Sequence, residues 1–534
     1  MAYCARSTPP ARPPLARCSA RLRAACVLAL VVVAGAACSA SESEPKAGGA
    51  PSKLTIATSF AVTDLDPLEN GFWAPEFGFG ALLMKPVSGG KLEPWLLESL
   101  TQPSPTTWRL QLRPNVVFQN ARPLDAAALA EAMTFNLAEN TSVKPLLPGA
   151  TAVASGPLTV TLTTSAPTSY VPSLLAHESM FPIFDVAAYK PLRQKPAELV
   201  AAKIWSGPYT VTSLTSEAMT LAPNPGWFGR APKLGTLTVR FIPDAQARIL
   251  SVQNGEADLA LYPPSSAARE LKGRSDAVYL NQAPGTAGEG FQLVLNLRSA
   301  PMDDVAVRNA LRFAIGYDQL AKQVLNGLYD TSLGFYPAFV PYALKNQTTD
   351  VARANQILDA AGWTRGAGGI RTKGAKPLAF TLLTYPQQPD SQVVAVALQA
   401  QLKEVGFDVK VRQVDDVTST VEAPTGWEAA VLGNGALDWT GTDPVTPVIS
   451  NFTPQGDTNY GGVNDPELTQ LATQLAATFD AATRDRLMAR VQQIVIEEKT
   501  YSLYLTLKRV PVVASPKLRG YVVPPVALLW VDSY

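Results

Sequence analysis

Cysteine is missing from almost the whole chain. All four (Cys4, Cys18, Cys26 and Cys38) fall at the N-terminal end and none follows, which excludes a disulfide framework or a thiolate metal site in the body. Histidine is nearly absent too, His177 being the only one. No site can therefore combine two imidazoles, which removes most zinc enzymes, blue-copper centres and Cys–His nucleophile systems. Charged residues reach only 17%, against roughly 25% in an average soluble protein. Lys+Arg 45 and Asp+Glu 44 nearly cancel, so net charge announces no polyelectrolyte partner and argues against a dedicated nucleic-acid binder. No stretch beyond residue 54 offers 18 consecutive apolar residues, and the body reads as soluble and exported.

What the chain does have is length and a core. Its 534 residues, 47% of them apolar, suit two or three domains. The 45 prolines point to extended segments and stiff loops. The N-terminus reads as an address. Arg6, Arg12, Arg17, Arg21 and Arg23 precede the apolar run Ala24–Ala34, and small residues lead to Cys38. A basic region, a short apolar run and small residues describe a secretory signal peptide over 1–37, too short for a confident transmembrane helix. Cys38 after two alanines is similar to a bacterial lipobox, although Gly35 stands where a leucine-like residue is usual. The expectation is a mature N-terminus at lipidated Cys38 with a polar tether over 38–52. Losing the five arginines leaves 40 basic against 44 acidic residues, a net charge of about −4.

Strand and helix patterns alternate along the body. Leu54–Thr58, Trp108–Leu112, Leu158–Leu162, Tyr209–Thr212, Leu237–Phe241, Leu293–Leu297, Phe407–Val411 and Leu503–Leu507 are predicted strands. Asp125 can cap a helix to about Asn140 that aligns Leu129, Met133 and Leu137. Asp303 and Asp304 precede a helix aligning Val307, Leu311 and Ile315. Val394, Leu398 and Leu402 mark another that Gly406 should stop. Asp465-Pro466 is a cap and first-turn pair for the helix carrying Leu468, Leu471 and Leu475. The pattern implies an α/β chain with mixed sheets.

Several phrases in order then resemble the bacterial solute-binding proteins of ABC importers, solute-binding family 5, the oligopeptide, dipeptide, nickel and opine class. They are Leu65-Asp-Pro67, Gly90–Ser99, Trp108–Phe118 with Ala121–Ala126, Ser206-Gly-Pro-Tyr209, Asn224–Phe228, Gly255–Leu259, Asn296 with Asp303–Leu311, and Ala360–Trp363. The phrases Glu93–Ser99 and Ala361–Gly366 look most similar to the nickel/opine branch. The resemblance implies a two-lobed periplasmic-binding-protein fold, type II, with mixed sheets, an extra subdomain in lobe one and a ligand cleft between the lobes. Lobe one is expected over 53–285 with 96–203 as the inserted subdomain, lobe two over 286–501, and a return to lobe one over 502–534. Ala283–Gly288 suits a crossing segment.

The same resemblance places ligand contacts. Phe72 and Trp73 fall where the family often lines its cleft. Asp438 and Trp439 lie where peptide-binding relatives carry an aspartate, here five rather than three residues before Asp443. His177 lies in the stretch where the nickel branch has arginines, and Lys144 could replace such a carboxylate clamp. Implied is a monomeric, lipid-anchored receptor on the outer face of the cell membrane. It would deliver a short peptide or a small carboxylate-rich or metal-chelate solute to permease and ATPase subunits. No cofactor, protein-held metal, nucleic-acid partner or enzymatic activity is expected. Two alternatives stand beside it: a ligand sensor or chaperone on the same fold, and a secreted serine hydrolase. The hydrolase would need His177 as its base, and no Gly-x-Ser-x-Gly elbow supports it.

Overall fold

The computed structural model describes residues 53–87, 91–282, 289–338, 340–366, 368–435 and 443–524; the expected signal peptide and tether, Cys38 and the expected crossing segment Ala283–Gly288 lie outside them. Two large mixed sheets dominate. The first runs, edge to edge, Val278–Asn281, Pro511–Ala514, Leu259–Leu261, Lys53–Thr58, Thr236–Phe241, Ala218–Pro223 and Tyr209–Leu214. Lys53–Thr58 is parallel to both its neighbours, and the remaining pairs are antiparallel. The second runs Tyr329–Thr331, Ser502–Lys508, Glu289–Leu295, Ala429–Gly435, Ala379–Thr384 and Asp408–Gln413. There the last three strands are parallel.

The predicted strands form because alternating residues have one face to bury. Thr236–Phe241 alternates buried and half-buried positions along its length. Between the first strand and Tyr209–Leu214 the chain makes a separate four-stranded antiparallel sheet, Leu97–Ser104, Thr107–Leu112, Thr159–Thr163 and Thr151–Ala154. The helix Ala126–Glu139 packs on it, starting where the Asp125 carboxylate accepts the Ala128 N–H at 2.9 Å and burying Leu129 and Met133. Asp304 and Asp465 cap the helices Val305–Ala314 and Pro466–Ala477 in the same way. The helix Asp390–Glu404 ends just before Gly406, whose φ of 97° a side chain would resist.

One expected boundary moves. A return to the first lobe at 502 is expected from the sequence, but Ser502–Lys508 is a strand of the second sheet, between Glu289–Leu295 and Tyr329–Thr331. All seven of its residues are buried, as a strand covered on both faces requires. Only Pro511–Ala514 joins the first sheet. The second crossing is therefore the two residues Arg509 and Val510. The second crossing is tied to the residue that follows the strand Val278–Asn281. The Gln282 N–H donates to the Val510 carbonyl at 3.3 Å, and the Val510 N–H donates to Gln282 Oε1 at 3.0 Å.

Candidate functional site

Each sheet directs the C-terminal ends of its parallel strands toward one cavity of about 310 Å³. From the first lobe, Lys53–Thr58 leads to Phe60, and Leu259–Leu261 leads to Tyr262. From the second, Ala379–Thr384 leads to Tyr385 and Gln388, and Asp408–Gln413 leads to Val417 and Thr418. Leu432 and Gly433, on the strand Ala429–Gly435, form part of the same wall, together with Tyr460 and, from the crossing, Val510. Open α/β sheets place ligand clefts at such strand ends.

The walls are aromatic. Phe60 packs against Trp73 (centroids 5.5 Å apart) and edge-on to Tyr262 (5.2 Å), and Phe72 meets Trp73 edge-on at 4.8 Å. A tight turn presents Phe72 and Trp73. Asp66 Oδ1 accepts the Leu68 N–H at 2.9 Å, Asp66 Oδ2 accepts the Tyr189 hydroxyl at 2.7 Å, and the Trp73 N–H donates to the Asn70 carbonyl. A Cβ at Gly71 would stand 2.1 Å from the Pro67 carbonyl oxygen, so only glycine closes this turn.

Tyr262 sits in the left-handed region (φ 52°), a conformation that costs a non-glycine residue about 1 kcal/mol or more. Arg248 holds it there. Its fully buried guanidinium donates to the carbonyls of Ile242 (2.8 Å), Pro243 (2.7 Å), Leu261 (3.0 Å) and Tyr262 (2.9 Å). Burial pushes its pKa down to about 10, so it stays charged at neutral pH.

On the second lobe, the Tyr385 hydroxyl accepts the Gly433 N–H at 3.0 Å, and a Cβ at Gly433 would lie 2.4 Å from Gln388 Nε2. Behind the cavity, the buried Asp390 carboxylate joins the lobes. It accepts the Ser265 N–H at 3.0 Å and the Tyr329 hydroxyl at 2.9 Å. Burial raises its pKa, while those hydrogen bonds and the nearby Lys508 ammonium oppose the rise. Lys508 Nζ donates to Gln388 Oε1 at 3.3 Å and lies 4.9 Å from the centre of the Tyr262 ring.

The expected site residues separate. Phe72 and Trp73 line the cavity. Lys144 does not: it is exposed in the turn after the Ala126–Glu139 helix, its N–H bonded to the Asn140 carbonyl. His177 does not line it either. It is buried, and its Nδ1 accepts the Ser179 N–H at 3.2 Å, a local turn contact. Asp438 and Trp439 lie outside the described residues. Tyr262, Tyr385, Gln388 and Tyr460 were not anticipated. The available signal for Tyr262 and Tyr385 was their place directly after the strands Leu259–Leu261 and Ala379–Thr384, at ends where clefts form; Tyr460, in the loop after the helix Thr446–Phe452, offered none.

Two lobes of mixed sheet, crossed twice and enclosing a cavity, define a periplasmic-binding-protein fold of type II. The chain belongs to the bacterial extracellular solute-binding proteins, family 5, whose sequence pattern matches residues 91–459. The nickel-binding protein NikA of Staphylococcus aureus is 23% identical over 86% of this chain and 89% of its own length. The crystal structure of that protein with Ni(L-His)2 superposes with a TM-score of 0.78 at 22% identity, covering 89% of this chain and 97% of the other. The oligopeptide-binding protein AppA of Bacillus subtilis, solved with a nonapeptide, gives a TM-score of 0.76 at 20% identity, covering 90% and 98%.

Proposed function

We propose that the chain is the receptor of an ABC import system, held at the outer face of the cell membrane through lipidated Cys38. It captures a short peptide or a compact metal chelate between its lobes and passes it unaltered to a permease driven by ATPase subunits. The observation that carries this reading is the cavity walled from both lobes by Phe60, Phe72, Trp73, Tyr262, Tyr385 and Tyr460. A ligand that touches both walls binds the closed form better than the open one, and so selects the state a permease can recognise.

Size and charge narrow the solute. About 310 Å³ is at the lower end of the roughly 300–1,000 Å³ range of small-molecule sites. That suits a di- or tripeptide or a small chelate; the nonapeptide bound by AppA needs more room. Among the described residues, no Arg, Lys, Asp, Glu or His side chain lines the cavity. The buried Lys508 ammonium stands behind the wall, held on Gln388 Oε1. A solute whose own charges largely compensate one another, such as a neutral chelate or a zwitterionic peptide, suits these walls, because burying an unpaired charge is costly.

Calorimetry and tryptophan fluorescence against di- and tripeptides and nickel–amino-acid chelates test the reading. Binding by one of these classes is expected, with Trp73→Ala weakening it at least tenfold, or about 1.4 kcal/mol. A folded protein that binds none of them overturns the reading. Mass spectrometry of the mature N-terminus is expected to find diacylated Cys38, and an unmodified terminus beyond Ser39 refutes the anchor.

A further inference from the structure

A second cavity, of about 610 Å³, opens within lobe one and shares no residue with the interlobe cavity. The strands Met84–Val87 and Lys91–Pro94, the residue after Thr107–Leu112, the start of Tyr209–Leu214 and the loop 227–234 surround it. Four of the sequence phrases that carry the family resemblance meet there, bringing Trp95, Arg113, Pro208-Tyr209 and Trp227-Phe228 together. The interlobe cleft uses none of them.

The chemistry of this cavity is the reverse of the cleft's. Lys85, Arg113, Arg230 and Lys233 line it against a single acid, Glu93, for a net charge of +3. Its floor is aromatic. Trp95 and Trp227 meet edge-on with centroids 6.1 Å apart, and Trp227 lies 4.3 Å from Phe228. The cations are set against these rings, with Lys85 Nζ 6.0 Å from Trp95 and the Arg113 guanidinium 5.9 Å from Phe228.

The arrangement is held in place. Arg113 Nε donates to the Trp95 carbonyl at 2.7 Å, which fixes the guanidinium while its terminal amino groups bond to no described residue. Asn224 pins the loop. Its Nδ2 donates to the Gly207 carbonyl at 2.8 Å, its Oδ1 accepts the Gly226 N–H at 2.9 Å, and its own N–H donates to the Pro208 carbonyl at 2.8 Å. Gly229 lets the loop fold onto the indole, because a Cβ there would be 2.7 Å from Trp227 Nε1.

We propose that this cavity is a second ligand site, taking an anion that carries a flat ring: a heteroaromatic phosphate or carboxylate. The rings give it a stacking surface, and the guanidinium and ammonium groups bind its phosphate or carboxylate oxygens. The volume is within the range of small-molecule pockets, and it far exceeds what a bare phosphate would fill. The proposal does not depend on which solute the interlobe cleft takes.

The probe is adenosine 5′-monophosphate, with inorganic phosphate and adenosine as its two halves, followed by calorimetry and quenching of tryptophan emission on the full mature chain. Saturable binding is expected that weakens as salt rises and exceeds that of either half at least tenfold. The double variant Arg230→Glu/Lys233→Glu, both positions exposed, is expected to lose at least tenfold in affinity while keeping the parent's circular-dichroism spectrum. Trp73→Ala in the cleft is expected to leave it unchanged. No saturable binding by the parent protein, equal affinity for inorganic phosphate, or binding that survives the double variant overturns the proposal. Co-sedimentation with phosphatidylglycerol vesicles without nucleotide binding also overturns it, because the patch then faces a membrane.

Discussion

The two lobes touch at two junctions of opposite construction. Behind the cavity the bonds lie close to the crossings. Gln282 binds Val510, Asp390 accepts the Ser265 N–H, and the Ser59 hydroxyl donates to the Gln387 carbonyl at 3.0 Å. At the far rim, the segment 145–170 of lobe one meets the helices Thr446–Phe452 and Pro466–Ala477 of lobe two over a mostly apolar gap of about 400 Å³. There the Ser169 N–H donates to the Ala476 carbonyl at 2.8 Å. Arg484 Nη1 donates to Ser169 Oγ at 2.6 Å and to the Leu475 and Thr478 carbonyls at the end of the helix. Parting of the lobes about the crossings, as the proposed function requires, would turn the first set through a small arc and pull the second apart. On that reading the first junction is expected to bear mainly on folding, and the second on the balance between open and closed.

Substitutions can break that distinction. Asp390→Ala is expected to have the largest effect, about 3 kcal/mol or more in denaturant unfolding, since it strands a buried N–H, a hydroxyl and part of the Lys508 charge. Arg484→Ala should lower solute affinity about tenfold and enlarge the radius of gyration in X-ray scattering through loss of the bond to Ser169. It should cost less in unfolding than Asp390→Ala, although its bonds to the Leu475 and Thr478 carbonyls are lost as well. If instead it destabilises the fold as much as Asp390→Ala, the two junctions are equivalent and the comparison fails.

Glu178 lies at neither junction and sharpens the contrast as a control. It is fully buried, no described residue donates a hydrogen bond to either carboxylate oxygen (His177 Nδ1 stands 3.8 Å from Oε2), and burial pushes its pKa up to about 8. In the unfolded chain it ionises near 4.5. The folded state thus holds a proton the unfolded state has lost, and stability is expected to fall as pH climbs from about 4.5 to about 8, levelling above. Melting curves should show this slope, and Glu178→Gln should flatten it without altering the effect of Arg484→Ala. The smallest effect belongs to Lys144→Ala, expected to change neither solute affinity nor stability by more than about 0.5 kcal/mol, as calorimetry can verify.

Local signals were the legible ones. The caps at Asp125, Asp304 and Asp465 were readable because an acidic residue before a periodic apolar run satisfies the helix's own first N–H groups. Phe72 and Trp73 were expected at a cleft only through the family resemblance of the Leu65-Asp-Pro67 phrase that precedes them; the turn that presents them rests on Gly71 and Asp66 and is not written in any one motif. Ser502–Lys508 could not be assigned to its sheet, since an alternating strand looks the same whichever neighbour it pairs with. Tyr385 and Tyr460 carry no local motif: the place of Tyr385 depends on strands distant in sequence ending together, and that of Tyr460 on a loop after the helix Thr446–Phe452 reaching the same point. The rim contacts through Ser169 and Arg484 were invisible for the same reason: 315 residues separate the partners.

Arg248 has a consequence for how this receptor can change its diet. Four carbonyls from two different loops share its one guanidinium, so Tyr262 and the strand ends beside it stand as a single rigid anvil. Lysine, with a compact ammonium in place of a planar fork, could not serve all four. Variation in the solute taken is then expected first on the opposite wall, at Thr418 and Tyr460, rather than at Gln388, whose Oε1 holds Lys508 beside Tyr262.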